Sequence, residues 1–156
     1  MAGAPPRVSR VGAITAIRDD RGRVLLVRQP RGPFAGVWLM PGGTVEPDEG
    51  VVHAAARELR EETGLTLIGP HLAACYQVTS EPAGSLDMTV FMYAGAASGT
   101  LTPETGGEVR WFAVADIPST HPLLLRQLAD IGVGSAGDAA IAESLASAGI
   151  RVERLA

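Results

Sequence analysis

The chain has 156 residues, 46% of them hydrophobic and 19% charged, with a formal net charge of −4 and a sequence pI near 5.3. Such a length makes one domain whose core needs no staples, and a negative chain without a basic stripe excludes a nucleic-acid polymer as the main partner. All thirteen basic residues are arginine, from which no function follows, and the single Cys75 excludes an intramolecular disulfide; its neighbours Leu72, Ala73 and Ala74 suggest a buried strand thiol.

In chain order, residues 1–6 are small residues and prolines and read as a disordered start. The apolar run 11–17 is too short to span a membrane and no small-residue cleavage site follows it, so neither a membrane segment nor a signal peptide is expected and the cytoplasm is the default. Residues 8–18 and 23–28 are β-rich runs parted by Asp19-Asp20-Arg21-Gly22, which reads as a hairpin turn. Val24, Leu25, Leu26 and Val27 form a continuous apolar run, the pattern of a central strand buried on both faces. Residues 29–36 carry Pro and Gly breakers around Phe34 and read as a loop, flanked by Arg28 and Arg31. An arginine there could hold a phosphate; Arg28 suits that role or a solvated face equally, and Arg31 reads as solvated. Phe34 is the aromatic placed to stack on a base, whereas Trp38 and Tyr76 read as core. A brief strand at 37–40 leads into Pro41-Gly42-Gly43, where two glycines let backbone approach a ligand or cation.

Residues 49–63 read as a helix, with Asp48 as N-cap, Glu49 in the first turn and Gly64 as the left-handed residue that ends it. Glu58, Glu61 and Glu62 stand at i, i+3 and i+4, so three carboxylates share one side. At the helical repeat, Glu61 and Glu62 lie about −60° and +40° from Glu58, and an apolar stripe of Val52, Ala55, Ala56 and Leu59 is centred near +110°. The acids are thus expected to border the buried stripe. Their repulsion needs protons, arginines or a cation to offset it. Arg57 and Arg60 supply part of that, and a hard divalent cation with oxygen ligands would supply more.

Further strands are expected at 65–68, 72–79 and 88–94, with Glu81-Pro82-Ala83-Gly84 as the turn between the last two, and at 109–114, which carries Trp111 and Phe112 and is ended by Ala115-Asp116-Ile117-Pro118. Leu124, Leu125, Leu128 and Ile131 have helical spacing within 121–131. A linker at 132–138 precedes an alanine-rich helix near 139–148 and a strand-like stretch at 150–152. No internal repeat is visible. His53 and His121 read as surface or cap residues, and His71 shows no partner pattern. Strands and helices in this order imply an α/β protein, a mixed sheet covered on both faces.

The series Gly43, five residues, Glu49, seven residues, Arg57-Glu58-Leu59, one residue, Glu61-Glu62, one residue, Gly64-Leu65 resembles the signature of the Nudix hydrolases at every fixed position. Seven fixed residues at roughly 6–7% usage each would coincide by chance on the order of 10⁻⁸ to 10⁻⁹ per window, so a merely solvated acidic helix is a poor account of them. The stretches 38–43 and 108–112 also look like the family's approach to this box and its late strand. The resemblance covers about residues 11–131 and implies an α/β/α sandwich, in a domain expected over 7–131; residues 132–156 have no counterpart in it and are expected as a helical extension packed on the same domain. It implies hydrolysis, MutT-like, of a phosphoanhydride in a nucleoside diphosphate linked to another group, usually with Mg²⁺ and with Mn²⁺ as substitute. A non-catalytic nucleotide-sensing domain is the alternative, although such a domain is expected to lose box acids and none is lost. By the same resemblance Glu58 and Glu62 would be metal ligands with Glu61 sharing that role, the Gly42 carbonyl would complete the shell, and Glu58 or Glu61 would take the proton of the attacking water. Arg57 and Glu49 would pair to orient the acids. A further acid is expected before the late strand, from Glu104 or Glu108, with Glu108 favoured. The partner would be a small nucleotide, with no membrane and with room for a homodimer. Pro82 stands 17 positions after Leu65, near where the ADP-ribose subgroup carries a proline, but in a turn that suits proline anyway; Tyr76 comes too early for the dinucleoside-polyphosphate subgroup. Nucleoside triphosphates, oxidised nucleotides, nucleotide sugars and ADP-ribose all remain candidates.

Overall fold

The computed structural model describes residues 9–32, 34–80, 87–118, 121–134 and 136–156. The expectations for residues 1–6 and for the turn at 81–84, with Pro82, lie outside the described residues.

Nine residues of β1 (Ser9–Ile17) run parallel to β6 (Asp87–Ser98), from Ser9 opposite Asp87 to Ile17 opposite Gly95. On its other side β1 is antiparallel to β4 (Gly42–Thr44). β5 (Thr66–Ser80) pairs antiparallel with β6, and β8 (Ile150–Arg154) with β5, giving a five-stranded mixed sheet in the order β4-β1-β6-β5-β8. A second, antiparallel sheet has β2 (Val24–Arg28) between β3 (Trp38–Leu39) and β7 (Glu108–Phe112). The expected mixed sheet is the five-stranded one, and the three-stranded antiparallel sheet stands beside it. The turn at 19–22 forms, with the Asp19 carboxylate accepting from the N–H groups of Arg21 at 3.0 Å and Arg23 at 2.8 Å. Among the described residues only the Arg18–Val24 bridge joins the strands beyond it, which then part into the two sheets.

The alternation of side chains along β2 places the helices. Val24, Leu25 and Leu26 are wholly buried and Val27 nearly so, as a strand covered on both faces requires. Val24 and Leu26 join the cluster containing Leu124 and Leu128 of α2 (Pro122–Asp130), whereas Leu25 joins the one containing Leu59 of α1 (Val51–Thr63). The two helices lie on opposite faces, the α/β/α sandwich that the sequence implies. Residues 65–68 and 72–79 are one strand rather than two. Register shifts at Ile68/His71 and Leu72/Ala74 absorb the Gly69-Pro70 breaker while β6 continues opposite. Cys75 is a buried thiol in that strand, and His121 caps α2, its Nδ1 accepting from the Leu123 N–H at 3.2 Å.

Two details of α1 differ from expectation. Asp48 has a left-handed φ of 64° and caps nothing; the helix starts at Val51 behind Gly50, so Glu49 precedes its first turn. Its buried residues are Ala54, Ala55, Leu59, Glu62 and Thr63, with Val52 and Ala56 only half-buried. The stripe is centred nearer Glu62 than the apolar residues alone suggest, because Thr63 and Glu62 find polar partners inside. The expected C-terminus is correct: Gly64 has φ 76° and donates to the Arg60 carbonyl at 2.9 Å.

At the opposite edge of the larger sheet, α3 (Asp138–Ser147) buries Ile141 and Leu145 and leads into β8. The Asp130 side chain, 3% exposed, accepts from Tyr76 Oη at 2.5 Å, from both Arg126 Nη2 and Nε, and lies 3.2 Å from Arg154 Nη1, joining α2, β5 and β8. Removing that carboxylate leaves the buried Tyr76 hydroxyl without its acceptor and takes one partner from each of Arg126 and Arg154. Asp130→Ala is expected to cost roughly 3 kcal/mol, against about 1 kcal/mol for Tyr76→Phe, measured by urea unfolding. Equal, negligible losses would show the network to be idle.

Candidate active site

β4 and α1 build the site against each other. Pro41 is held on β1, its carbonyl accepting from the Thr15 N–H at 2.9 Å, and Gly42 and Gly43 follow as the strand edge facing the helix. A Cβ on Gly42 would stand 2.5 Å from the Ala13 carbonyl oxygen, and one on Gly43 would overlap the Glu58 carboxylate. Gly42 thus lets β4 lie this close to β1, and Gly43 lets the Glu58 carboxylate lie this close to the strand. The Gly42 N–H donates to Glu62 Oε1 at 2.8 Å, and the Gln29 side-chain amide donates to Glu62 Oε2 at 3.2 Å. Glu62, 4% exposed, is thus inside the buried stripe and not at its border. Burial pushes its pKa up to about 7, with Glu58 and Glu104 adding to the rise against the opposing pull of Gly42 and Gln29.

Arg57 organises the remaining acids. Its Nε and Nη2 donate to the two oxygens of Glu49 at 2.7 and 3.1 Å, Nη1 donates to Glu58 Oε1 at 2.8 Å and Glu61 Oε2 at 3.2 Å, and Nη2 also reaches the Thr44 carbonyl at 3.2 Å. The hydrogen bond from Arg57 foremost, and that from the Glu46 N–H, hold Glu49 down to about 2. Burial raises the Glu58 pKa above the usual carboxylate range despite Arg57, with Glu61 and Glu104 contributing. Glu61 is half-exposed. Arg60 turns away to Thr66 Oγ1 at 2.8 Å and does not relieve the acids. Among the described residues no three acidic, imidazole or thiol groups enclose a common point, since Glu58 and Glu61 are drawn to Arg57 and Glu62 to the Gly42 N–H.

The two further acids part company. Glu108 sits opposite Arg28 in the β2–β7 register and pairs with it, with Arg110 Nη2 3.6 Å away. That row of the sheet carries Trp38, over whose ring Arg28 and Arg110 lie at 5.4 and 5.6 Å, and it faces away from the Val109 side that packs with Leu59. Strand alternation therefore turns Glu108 from the box, although the sequence favours it over Glu104. Glu104, in the turn before β7, is the acid whose charge raises both Glu58 and Glu62. Phe34 packs edge-on against His121 with ring centroids 5.3 Å apart. Gln29 is a site residue that the sequence pattern leaves unmarked, although the alternation of Leu25, Val27 and Gln29 is a signal that could find it. A cavity of about 640 Å³ between α3, β5 and β8, lined by Arg126, Asp138, Ile141, Leu145 and Arg151 among others, shares no residue with the box.

The raised Glu62 pKa carries a sign. A folded chain that binds a proton more tightly than the unfolded one has its full stability below 4.5 and loses it as pH rises through about 7. Glu58 shifts the same way, whereas Glu49 loses its contribution only as pH falls below 4.5. In chelator the chain is expected to melt at a higher temperature at about pH 6 than at about pH 8, and Glu62→Gln to remove most of the difference. Equal wild-type melting temperatures would contradict the buried position of this carboxylate.

Comparison with known proteins agrees with this geometry. The family model described as the NUDIX domain matches residues 7–130. A crystal structure of a MutT NUDIX hydrolase from Burkholderia pseudomallei superposes with a TM-score of 0.71 at 33% identity, covering 80% of this chain and 99% of that one. The ADP-ribose pyrophosphatase of Methanocaldococcus jannaschii is 29% identical over 107 residues, 68% of this chain and 63% of that protein. The CTP pyrophosphohydrolase of Escherichia coli is 39% identical over 66 residues, 41% of this chain and 49% of that protein. The chain spans about half to two thirds of the length of these curated relatives. With the signature complete, its helix and strand in contact, and the family model covering most of its length, the chain belongs to the Nudix family.

Proposed function

We propose that this chain hydrolyses a phosphoanhydride bond in a nucleoside diphosphate linked to another group, with Mg²⁺, or Mn²⁺ in its place. The observation that carries the reading is the set of oxygens where α1 meets β4: Glu58, Glu61, Glu62 and the Gly42 carbonyl. These are hard donors, and burial and mutual charge hold Glu58 and Glu62 above the usual carboxylate range. One guanidinium, Arg57, serves Glu49, Glu58 and Glu61 together. A divalent cation fits both the donor chemistry and the deficit of positive charge. Once bound, it would supply Lewis-acid stabilisation of the phosphoanhydride oxygens. Glu58, Glu61, Glu62 and the Gly42 carbonyl would hold it.

The side chains then divide the remaining work. Glu58, whose basicity burial raises, accepts the proton of the attacking water. Arg57, locked by Glu49, keeps Glu58 and Glu61 oriented. Glu104 stands in reserve as the further acid. Phe34, on the loop after β2, offers a ring for the base, whereas Arg28, expected to hold a phosphate, pairs with Glu108 on the row turned from the box. The names of the curated relatives, an ADP-ribose pyrophosphatase and a CTP pyrophosphohydrolase, have a phosphoanhydride in common. Retention of every box acid favours hydrolysis over nucleotide sensing. The site lies within 7–131 at the β4 end of the sheet, and the extension 132–156 adds α3 and β8 at the other edge as packing.

Turnover of ADP-ribose, CTP and other nucleotides should require Mg²⁺ and cease in chelator; full activity in excess chelator would overturn the reading. Glu58→Gln is expected to lower kcat on the order of 10²- to 10⁴-fold with a flattened pH profile, while Glu61→Gln mainly weakens Mg²⁺ affinity. Of the two distal acids, Glu104→Gln should slow the reaction and Glu108→Gln should leave kcat nearly unchanged. The reverse order would restore Glu108 to the site.

A further inference from the structure

Gln29 follows the last residue of β2 and carries no charge, yet its side chain reaches two of the oxygens assigned above to the cation. The amide nitrogen donates to Glu62 Oε2 at 3.2 Å and lies 3.5 Å from the Gly42 carbonyl oxygen. The same Glu62 carboxylate is held from its other side by the Gly42 N–H at 2.8 Å. Both oxygens of Glu62 are therefore committed to named donors, and their direction follows from where Gln29 and Gly42 stand. Gln29 is itself anchored: its carbonyl accepts from the Gly36 N–H at 3.2 Å, closing the loop between β2 and β3. Its position follows β2, whose four core residues from Val24 to Val27 are almost wholly buried.

We propose that Gln29 is a positioning residue for the divalent cation, holding the Glu62 carboxylate and the Gly42 carbonyl together in the arrangement that binds it. The proposal rests on the reading of Glu62 and Gly42 as ligands. A primary amide suits this role because its two hydrogens serve two acceptors at once and, being neutral, it does not compete with a cation for the site as an arginine or lysine would. Partners that orient metal ligands in this way typically carry roughly 10- to 100-fold in metal affinity. The loop that Gln29 begins also carries Phe34, so the residue that arranges the acids and the loop proposed to meet the nucleotide share one anchor.

Mn²⁺ binding without nucleotide, followed by electron paramagnetic resonance, tests the proposal. Gln29→Met keeps the length and removes both donors; it is expected to bind Mn²⁺ roughly tenfold more weakly than wild type, and kcat should recover as Mg²⁺ is raised. In the wild-type protein, the Gln29 side-chain amide signals in ¹H–¹⁵N spectra should shift in step with Mg²⁺ occupancy, a readout that stands even where the variant folds poorly. Undiminished Mn²⁺ affinity in a folded Gln29→Met protein would overturn the proposal, as would amide signals indifferent to Mg²⁺. A raised KM for the nucleotide with unchanged Mn²⁺ affinity would overturn it by making Gln29 a substrate contact. A wild-type chain that binds no Mn²⁺ would overturn this proposal and the reading beneath it together.

Discussion

The hydrogen bond from the Gly42 N–H to Glu62 is the constraint on which the site depends. It places a carboxylate in the middle of the apolar face of α1, where burial disfavours the charged form and raises its pKa to about 7. Such a group persists only if its oxygens are satisfied, and Gly42 and Gln29 satisfy them from two different parts of the chain. The helix is thereby held to β4 by a polar contact, while Ala54, Ala55 and Leu59 pack it on Ala13 and Ile17 of β1 and Leu25 of β2. A side chain at 42 would run into Ala13 and Ile14 of β1, and one at 43 would displace the Glu58 carboxylate, so the two glycines keep β4 close to its neighbouring strand and to the helix acid.

Arg57 solves the second half of the same problem. A single guanidinium binds Glu49 with two of its nitrogens and still reaches Glu58, Glu61 and the Thr44 carbonyl, so it is pre-organised before any ligand arrives. It leaves the acids short of positive charge, since Glu58 remains raised in its presence. Charge of one sign gathered in a partly buried place is a cost that folding alone does not explain, and functional sites are where such costs are retained. On the proposed function, the stability given up at the acids would be recovered when the cation binds.

The layers on either side serve this corner. β2, buried on both faces, sends Leu25 toward α1 and Val24 and Leu26 toward α2, so it fixes where Gln29 emerges beside Glu62 and where Arg28 emerges on the opposite row beside Trp38 and Glu108. Adjacent residues thus serve different faces of one strand. At the far edge of the larger sheet, Asp130 ties α2 to Tyr76 and Arg154, and the chain end bonds to Cys75 through the Leu155 and Ala156 backbone. The tail is built onto the edge opposite β4.

By itself the sequence determined what depends on local order along the chain. The signature from Gly43 to Leu65, the continuous apolar run of β2, the glycine that ends α1 and the helical spacing of Leu124 and Leu128 all express local patterns, most of them periodicities of three to four or of two residues, which hold wherever the segment lies. Tertiary structure alone decided what depends on a partner distant in the chain. A polar residue can sit on a buried face if donors wait there, so the position of Glu62 inside the stripe followed from Gly42 and Gln29, not from the helix. The Gly69-Pro70 breaker was absorbed because β6 ran on beside it. Glu108 and Glu104 are near neighbours in sequence, and the pairing of β7 with β2 turned the one toward Arg28 while the other, in the turn before β7, adds its charge to the rise of Glu58 and Glu62. Registers and opposing charges of this kind are set by long-range contacts, and no window of sequence contains both partners.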